Sequence, residues 1–131
     1  MSAPILASRR RVLIVEDSSV NQKLLSALVS NLGFAVSVAN NGLQAVDQSR
    51  EASFDLVLMD VQMPVMDGLQ ATKMIREQEI GTEKRAVIIA VTAGFDRETC
   101  LSAGMDDHME KPVRPKALRD LLGRHTGIAF T

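Results

Sequence analysis

Short, wholly apolar runs alternate along this chain with segments of helical periodicity. Residues 12–15 and 56–59 contain no polar side chain and are too short to form helices. Such runs are typical of strands that are buried on both faces of a sheet. Apolar residues at helical spacing follow the first run from Val20 to Leu32, and Gly33 then predicts a helix end. The alternation predicts an α/β domain in which helices cover both faces of a parallel sheet.

Reading the whole chain in this way predicts five strands and five helices. The strands are expected over residues 12–15, 34–39, 56–59, 86–91 and 105–110, and the helices over 20–32, 43–52, 69–78, 96–103 and 115–122. The fifth strand is the most polar, which favours a place at the sheet edge. Pro115 suits the first turn of the last helix, and Gly123 is expected to end it. We therefore expect a flexible tail or linker over residues 1–10, a domain over 11–123 and a second tail over 124–131.

Composition excludes several functional classes. The chain has 131 residues, enough for one domain, and its 15 basic and 16 acidic side chains nearly balance. That balance and the absence of Tyr and Trp argue against a nucleic-acid or membrane-surface binder. No run approaches the ~20 apolar residues of a membrane helix. The single cysteine, Cys100, cannot form an internal disulfide, and we expect it to be a buried apolar residue of a cytoplasmic protein.

Polar side chains follow the predicted strands at the points where those strands end. Glu16 and Asp17 come after the first strand, Asp60 after the third, Thr92 after the fourth and Lys111 after the fifth. The carboxyl ends of parallel strands meet at one edge of the sheet, so these side chains should share one crevice. Carboxylates outnumber the ammonium group three to one, which favours a bound divalent cation. Oxygen-only ligands indicate Mg²⁺.

Such a cluster has an evident chemistry. A carboxylate beside Mg²⁺, an ammonium group and a hydroxyl can act as a nucleophile towards phosphorus, which forms an aspartyl phosphate. Lys111 would then hold the developing phosphoryl charge, and Thr92 would donate a hydrogen bond to it.

Four blocks of sequence, in this order, closely resemble the receiver domain of two-component response regulators. They are residues 12–17 with Val20-Asn21-Gln22, residues 58–68, residues 90–93, and residues 104–107 with Lys111-Pro112. The resemblance extends from about residue 11 to residue 122. Two of these motifs look most like those in receivers of hybrid sensor histidine kinases, namely Val20-Asn21-Gln22 and Met59-Asp60-Val61-Gln62-Met63-Pro64.

The resemblance implies a flavodoxin-like receiver fold with strand order 2-1-3-4-5. It implies that Asp60 is the phospho-acceptor, that Thr92 is the switch hydroxyl and that Lys111 contacts the phosphoryl group. It also implies a cis peptide between Lys111 and Pro112. The implied Mg²⁺ ligands are Glu16, Asp17, Asp60 and the backbone carbonyl of Gln62. The implied phosphoryl donor is a phospho-histidine on a histidine kinase or a phosphotransfer domain.

One position departs from the family pattern. Three residues before the position of Lys111, receivers usually carry Tyr or Phe, and that ring turns inward when the switch hydroxyl moves. Here the residue is His108. Either His108 is a surface residue without a switching role, or its smaller ring performs the same switch. An imidazole changes charge near neutral pH and burial disfavours the charged form, so the second hypothesis predicts weaker switching in acid. Asp106 and Asp107 nearby are expected to face solvent rather than bind metal.

Other functions stay open at this point. A Mg²⁺-dependent phosphohydrolase of the haloacid-dehalogenase type also forms an aspartyl phosphate, but it needs an acid two residues after the nucleophile, where this chain has Gln62. A flavodoxin-like cofactor binder needs a phosphate-cradling first loop, which is missing. The domain itself is a phospho-acceptor module, and it belongs either to a hybrid histidine kinase, which is a transferase, or to a stand-alone response regulator.

Overall fold

A computed structural model of the chain describes residues 10–130 as strands and helices in strict alternation. The strands are β1 (Arg11–Val15), β2 (Ala35–Ala39), β3 (Leu56–Asp60), β4 (Val87–Thr92) and β5 (Asp107–Glu110). The helices are α1 (Ser19–Asn31), α2 (Gly42–Glu51), α3 (Gly68–Glu79), α4 (Arg97–Ser102) and α5 (Pro115–Thr126). Apart from Arg10, the tail expected over residues 1–10 lies outside the described residues.

The five strands form one parallel sheet in the order β2-β1-β3-β4-β5, as the family resemblance implied. β5 lies at an edge, in agreement with its polar sequence. The strand order reverses direction between β1 and β3, because the chain moves from β1 outward to β2 and then returns to the other side. A crevice opens outside the carboxyl ends of the strands at such a point, and ligands bind there.

Both faces of the sheet are buried, and each face has its own apolar cluster. Alternate residues of β1 point to opposite sides, so that Leu13 packs in one cluster and Ile14 in the other. The first cluster takes Ala45, Val46, Ala71, Ile75 and Cys100 from α2, α3 and α4, and the second takes Leu25, Val29, Leu118, Leu121 and Leu122 from α1 and α5. Cys100 is fully buried, as expected. Within residues 10–130, none of the helices is long and apolar enough to cross a bilayer.

The end of the last helix differs from the sequence expectation. Gly123 does not end α5, which continues to Thr126 and stops where Gly127 takes a φ of 74°. Gly123 serves packing instead, because a Cβ there would lie 3.0 Å from the backbone oxygen of Ile128. The glycine therefore lets the segment after the helix fold back along it, and the ring of Phe130 comes within 5.9 Å of the Phe34 ring.

Candidate functional site

Three carboxylates meet at the carboxyl ends of β1 and β3. One oxygen each from Glu16, Asp17 and Asp60 lies within 4.8 Å of the others. The parallel pairing of the two strands, with Val15 opposite Met59, places the residues that follow side by side. Glu16 and Asp60 are buried, whereas Asp17 is exposed. The donor set contains oxygen atoms alone, and this is the ligand chemistry that Mg²⁺ prefers.

An ammonium group joins this cluster from the far side of β4. The Nζ atom of Lys111 lies 3.2 Å from Glu16 Oε2 and 3.2 Å from Asp60 Oδ2. Its backbone N–H donates to the carbonyl of Thr92, which fixes the start of the side chain at the end of β4. The peptide between Lys111 and Pro112 is cis, as the resemblance implied. The long lysine side chain thus reaches over the end of β4 to both buried carboxylates.

Burial and neighbouring charges shift the pKa values of Asp60 and Lys111. Burial and the nearby charge of Glu16 raise the pKa of Asp60 to about 6, although Lys111 and the N–H of Gln62 act in the opposite direction. Burial alone would lower the pKa of Lys111, but the two carboxylates outweigh it and raise that pKa above its usual value. A further positive charge beside Asp60 would favour its ionised, nucleophilic form.

The loop after Asp60 wraps closely around it. The backbone N–H of Gln62 donates to Asp60 Oδ1 over 3.2 Å. Further along, the N–H of Met66 donates to the carbonyl of Pro64, two residues back, and Val65 between them has a φ of 72°. At Gly68 the helix α3 begins so close to β3 that a Cβ would overlap the backbone oxygen of Asp60. The loop is therefore held at both ends by contacts with β3.

Thr92 and His108 both engage the loop between β4 and α4. The buried hydroxyl of Thr92 accepts hydrogen bonds from the N–H groups of Gly94 and Phe95, at 3.3 and 3.4 Å. The half-buried ring of His108 places Nε2 2.9 Å from the carbonyl oxygen of Phe95. Because a carbonyl only accepts, this nitrogen is the donor. One residue, Phe95, therefore links the two side chains expected to act in switching.

The expectation that Asp106 and Asp107 face solvent is wrong. Asp107 is 3 % exposed and accepts hydrogen bonds from Arg97 and from His125, whose Nε2 lies 2.8 Å away. Burial by itself would raise the pKa of Asp107, but these donors lower it to about 2. Asp106 pairs with Arg76 and a second arginine at 2.8 Å. The basic partners lie on other helices and loops, 10 to 30 residues away along the chain, so sequence alone did not reveal the pairs.

The sequence analysis assigned no role to Asn21 and Gln22, although both belong to one of the receiver-like blocks. Asn21 Nδ2 donates to Glu16 Oε1 over 3.4 Å. Gln22 Nε2 donates to the backbone carbonyl of Glu16 over 2.5 Å and to Asn40 Oδ1 over 2.6 Å. Their appearance in the Val20-Asn21-Gln22 block was the available signal.

Comparisons with known proteins agree with this geometry. A family model for the response regulator receiver domain matches residues 12–123. The chain is 40 % identical over 121 residues to hybrid signal transduction histidine kinase I of Dictyostelium discoideum, covering 86 % of this chain and 7 % of that protein. It is 40 % identical over 132 residues to the sensor protein GacS of Pseudomonas syringae pv. syringae, covering 97 % of this chain and 15 % of that protein. The chain thus spans a small part of these relatives.

Solved structures show the same likeness. One is the receiver domain of the sensor histidine kinase PA1611 from Pseudomonas aeruginosa PAO1, with a magnesium ion in its active-site cleft; it is 40 % identical, with a TM-score of 0.81 and coverage of 91 % of this chain and 98 % of that one. Another is the co-crystal structure of the Saccharomyces cerevisiae phosphotransfer protein Ypd1 with the receiver domain of Ssk1, at 30 % identity, a TM-score of 0.84 and coverage of 90 % and 89 %. The strand order, the acidic cluster with its lysine and the match over residues 12–123 agree, and the chain belongs to the family of response regulator receiver domains.

Proposed function

We propose that Asp60 accepts a phosphoryl group from a phospho-histidine of a donor protein, in a reaction that depends on Mg²⁺. The observation that carries this proposal is the position of Lys111 Nζ, 3.2 Å from Asp60 Oδ2, beside a cluster of three carboxylates. Glu16, Asp17, Asp60 and the backbone carbonyl of Gln62 would hold the Mg²⁺. When bound, the ion supplies positive charge that offsets the charge of the cluster and of the phosphoryl oxygens.

The transfer itself is a displacement at phosphorus. A carboxylate oxygen of Asp60 forms the new O–P bond while the P–N bond of the phospho-histidine breaks, and its electron pair remains on the imidazole nitrogen. Lys111 lies close enough to Asp60 to contact the phosphoryl oxygens and stabilise their charge. Ionised Asp60 is the nucleophile, so the carboxyl group must lose its proton first, and the positive charges around it favour that loss.

The relatives support a particular kind of phosphoryl donor and of parent protein. The yeast receiver domain of Ssk1 is seen with a histidine phosphotransfer protein, and this supports a phosphotransfer domain or a histidine kinase as the donor here. Two relatives at 40 % identity are a hybrid histidine kinase and a sensor protein, which supports a place in a hybrid histidine kinase over a stand-alone regulator. The buried thiol of Cys100 suits the reducing cytoplasm. The length of the reading frame that encodes this chain tests the assignment to a hybrid histidine kinase.

The contacts around Phe95 support a switching role for both Thr92 and His108. Thr92 would turn towards the phosphoryl group and break the hydrogen bonds that its hydroxyl accepts from the N–H groups of Gly94 and Phe95. The hydrogen bond that His108 Nε2 donates to the Phe95 carbonyl would then change as the loop moves. Comparing partner binding by wild type and His108→Ala, each with and without beryllofluoride, tests this role. Unchanged binding in both states would show that His108 has no part in the switch.

Acceptance of phosphate is tested directly. The protein is incubated with Mg²⁺ and acetyl phosphate, and its intact mass is measured. Wild type should gain one alkali-labile phosphoryl group, and Asp60→Asn should gain none. Asp47→Asn, a matched change at an exposed carboxylate on α2, should label like wild type. Labelling of Asp60→Asn at the wild-type rate would show that the acceptor lies elsewhere.

A further inference from the structure

The side-chain amide of Gln22 bridges the two loops at the acidic edge of the sheet. Nε2 donates to the carbonyl oxygen of Glu16, 2.5 Å away, and to Asn40 Oδ1, 2.6 Å away. Glu16 begins the loop between β1 and α1, and Asn40 lies in the loop between β2 and α2. An amide nitrogen carries two hydrogens, so both are used and the group has no further freedom to donate.

This bridge fixes the peptide unit that joins the two acidic residues. The carbonyl of Glu16 and the N–H of Asp17 belong to one planar group, so holding the carbonyl sets the orientation of the Asp17 backbone. On the other side, the N–H of Glu16 donates to the carbonyl of Ala39 over 3.1 Å. The Glu16 carboxylate is held separately, by Lys111 and by Asn21. The backbone that carries the acidic pair is thus anchored before and after Glu16.

Asp17 depends on this anchoring more than the other carboxylates do. Glu16 and Asp60 are 1 % and 4 % exposed and are enclosed by the core. Asp17 is exposed, so its position relative to the other two oxygens depends on the backbone that carries it. Groups that orient metal ligands in this way typically change metal affinity by about 10- to 100-fold when they are removed.

We infer that Gln22 is a positioning residue for the metal site, acting through the Glu16–Asp17 peptide rather than by contact with the ion. This inference rests on the proposed Mg²⁺-dependent function. The helix α1 would then contribute to the metal site through Gln22, although it carries none of the three carboxylates.

The test replaces Gln22 by Met, which has a similar length and no charge but lacks the N–H donors. Gln48→Met is the matched control, because Gln48 is also a helical glutamine that donates to a strand carbonyl, that of Val38 at 3.0 Å. Mg²⁺ affinity is measured by calorimetric titration, and the free energy of unfolding is measured in urea with chelator present. We expect Gln22→Met to raise the Mg²⁺ Kd about 10-fold and Gln48→Met to leave it unchanged, with similar losses of stability in both.

An unchanged Mg²⁺ Kd in folded Gln22→Met overturns the inference and leaves the proposed function intact. If Gln22→Met does not fold, Asn40→Ala is measured instead, since it removes one of the two acceptors of the bridge at an exposed position. A Kd raised about 2- to 3-fold then supports the inference, and a wild-type Kd overturns it. Absence of Mg²⁺ binding by wild type itself overturns the proposed function.

Discussion

Lys111 Nζ lies 3.2 Å from Asp60 Oδ2, although β4 lies between β3, which ends at Asp60, and β5, which ends just before Lys111. The same nitrogen lies 3.2 Å from Glu16 Oε2, so one ammonium group faces two buried carboxylates. Each carboxylate raises the pKa of Lys111, and Lys111 in turn lowers that of Asp60. Lys111 therefore favours the ionised form of Asp60, which is the form that the proposed phosphoryl transfer requires.

Replacing Lys111 by Ala should raise the pKa of Asp60 above its value of about 6, because the opposing charge is lost. Phosphorylation by acetyl phosphate should slow by about 100-fold, the typical effect of removing one group that stabilises transition-state charge. NMR titration of the carboxyl group and the initial rate of labelling measure the two effects. Lys73→Ala, at an exposed lysine of α3, serves as the control. An unchanged pKa of Asp60 would contradict the role given to Lys111.

Asp17→Ala should weaken Mg²⁺ binding far more than it affects folding. The change removes an exposed ligand and one of three carboxylates that lie within 4.8 Å of one another. Because like charges repel, the metal-free protein should be as stable as wild type or slightly more stable. Calorimetric titration gives the affinity, and urea unfolding with chelator gives the stability. A wild-type Mg²⁺ Kd would exclude Asp17 from the metal site.

The pKa of Asp107 predicts how stability changes in acid. Its pKa is about 2 in the folded protein, against 3.8 for an unperturbed aspartate side chain, so the folded state favours the ionised form. The corresponding stability, about 2 kcal/mol, is fully present above pH 4 and is lost as the pH falls from about 4 towards 2. Asp107→Asn should therefore be about 2 kcal/mol less stable at pH 7, and the difference should shrink in that acid range. Urea unfolding at several pH values measures it, with the exposed Asp120→Asn as control; a gap independent of pH would contradict the assignment.

Val65 should be a position where substitution stabilises the protein. Its φ of 72° is unfavourable for a β-branched residue, and its side chain is 77 % exposed, so packing does not compensate. Asn tolerates this conformation, and Val65→Asn should raise the free energy of unfolding by about 1 kcal/mol. Val20→Asn, at a 73 % exposed position in a regular helix, should give no such gain. Equal effects of the two changes in urea would show that Val65 is not strained.

Gly68→Ala should destabilise the domain. The added Cβ would overlap the Asp60 backbone oxygen and lie 2.9 Å from Met59 Cγ, so α3 must move away from β3. Overpacking of this kind typically lowers the free energy of unfolding by about 1–3 kcal/mol. Gly94→Ala is the control, because nothing lies within 4 Å of its added Cβ. If Gly68→Ala proves as stable as Gly94→Ala, the close approach of α3 to β3 is not a constraint.

The elements and their order could be predicted from the sequence because their signals are local. The all-apolar run before Glu16 and the one before Asp60 mark buried strands, and parallel strands bring their carboxyl ends together whatever the loops between them contain. That reasoning placed Glu16, Asp17 and Asp60 in one crevice, and the structure brings the three together. The prediction that Gly123 ends the last helix was wrong because it used a local signal. Such a signal contains no information about the segment that returns to Gly123 at Ile128.

The tertiary structure alone decided which polar side chains pair. Asp107 sits on a polar edge strand and reads as solvated, yet Arg97 and His125 cover it from two different helices. The bridge from Gln22 to Glu16 and the bond from His108 to Phe95 likewise join residues through side-chain directions that no spacing rule predicts. Hydrophobic periodicity reports which face of an element is buried. The partner of a polar group depends on how distant elements are packed. For that reason the sequence determined the fold and the carboxylate cluster, while the packed structure determined the polar contacts around that cluster.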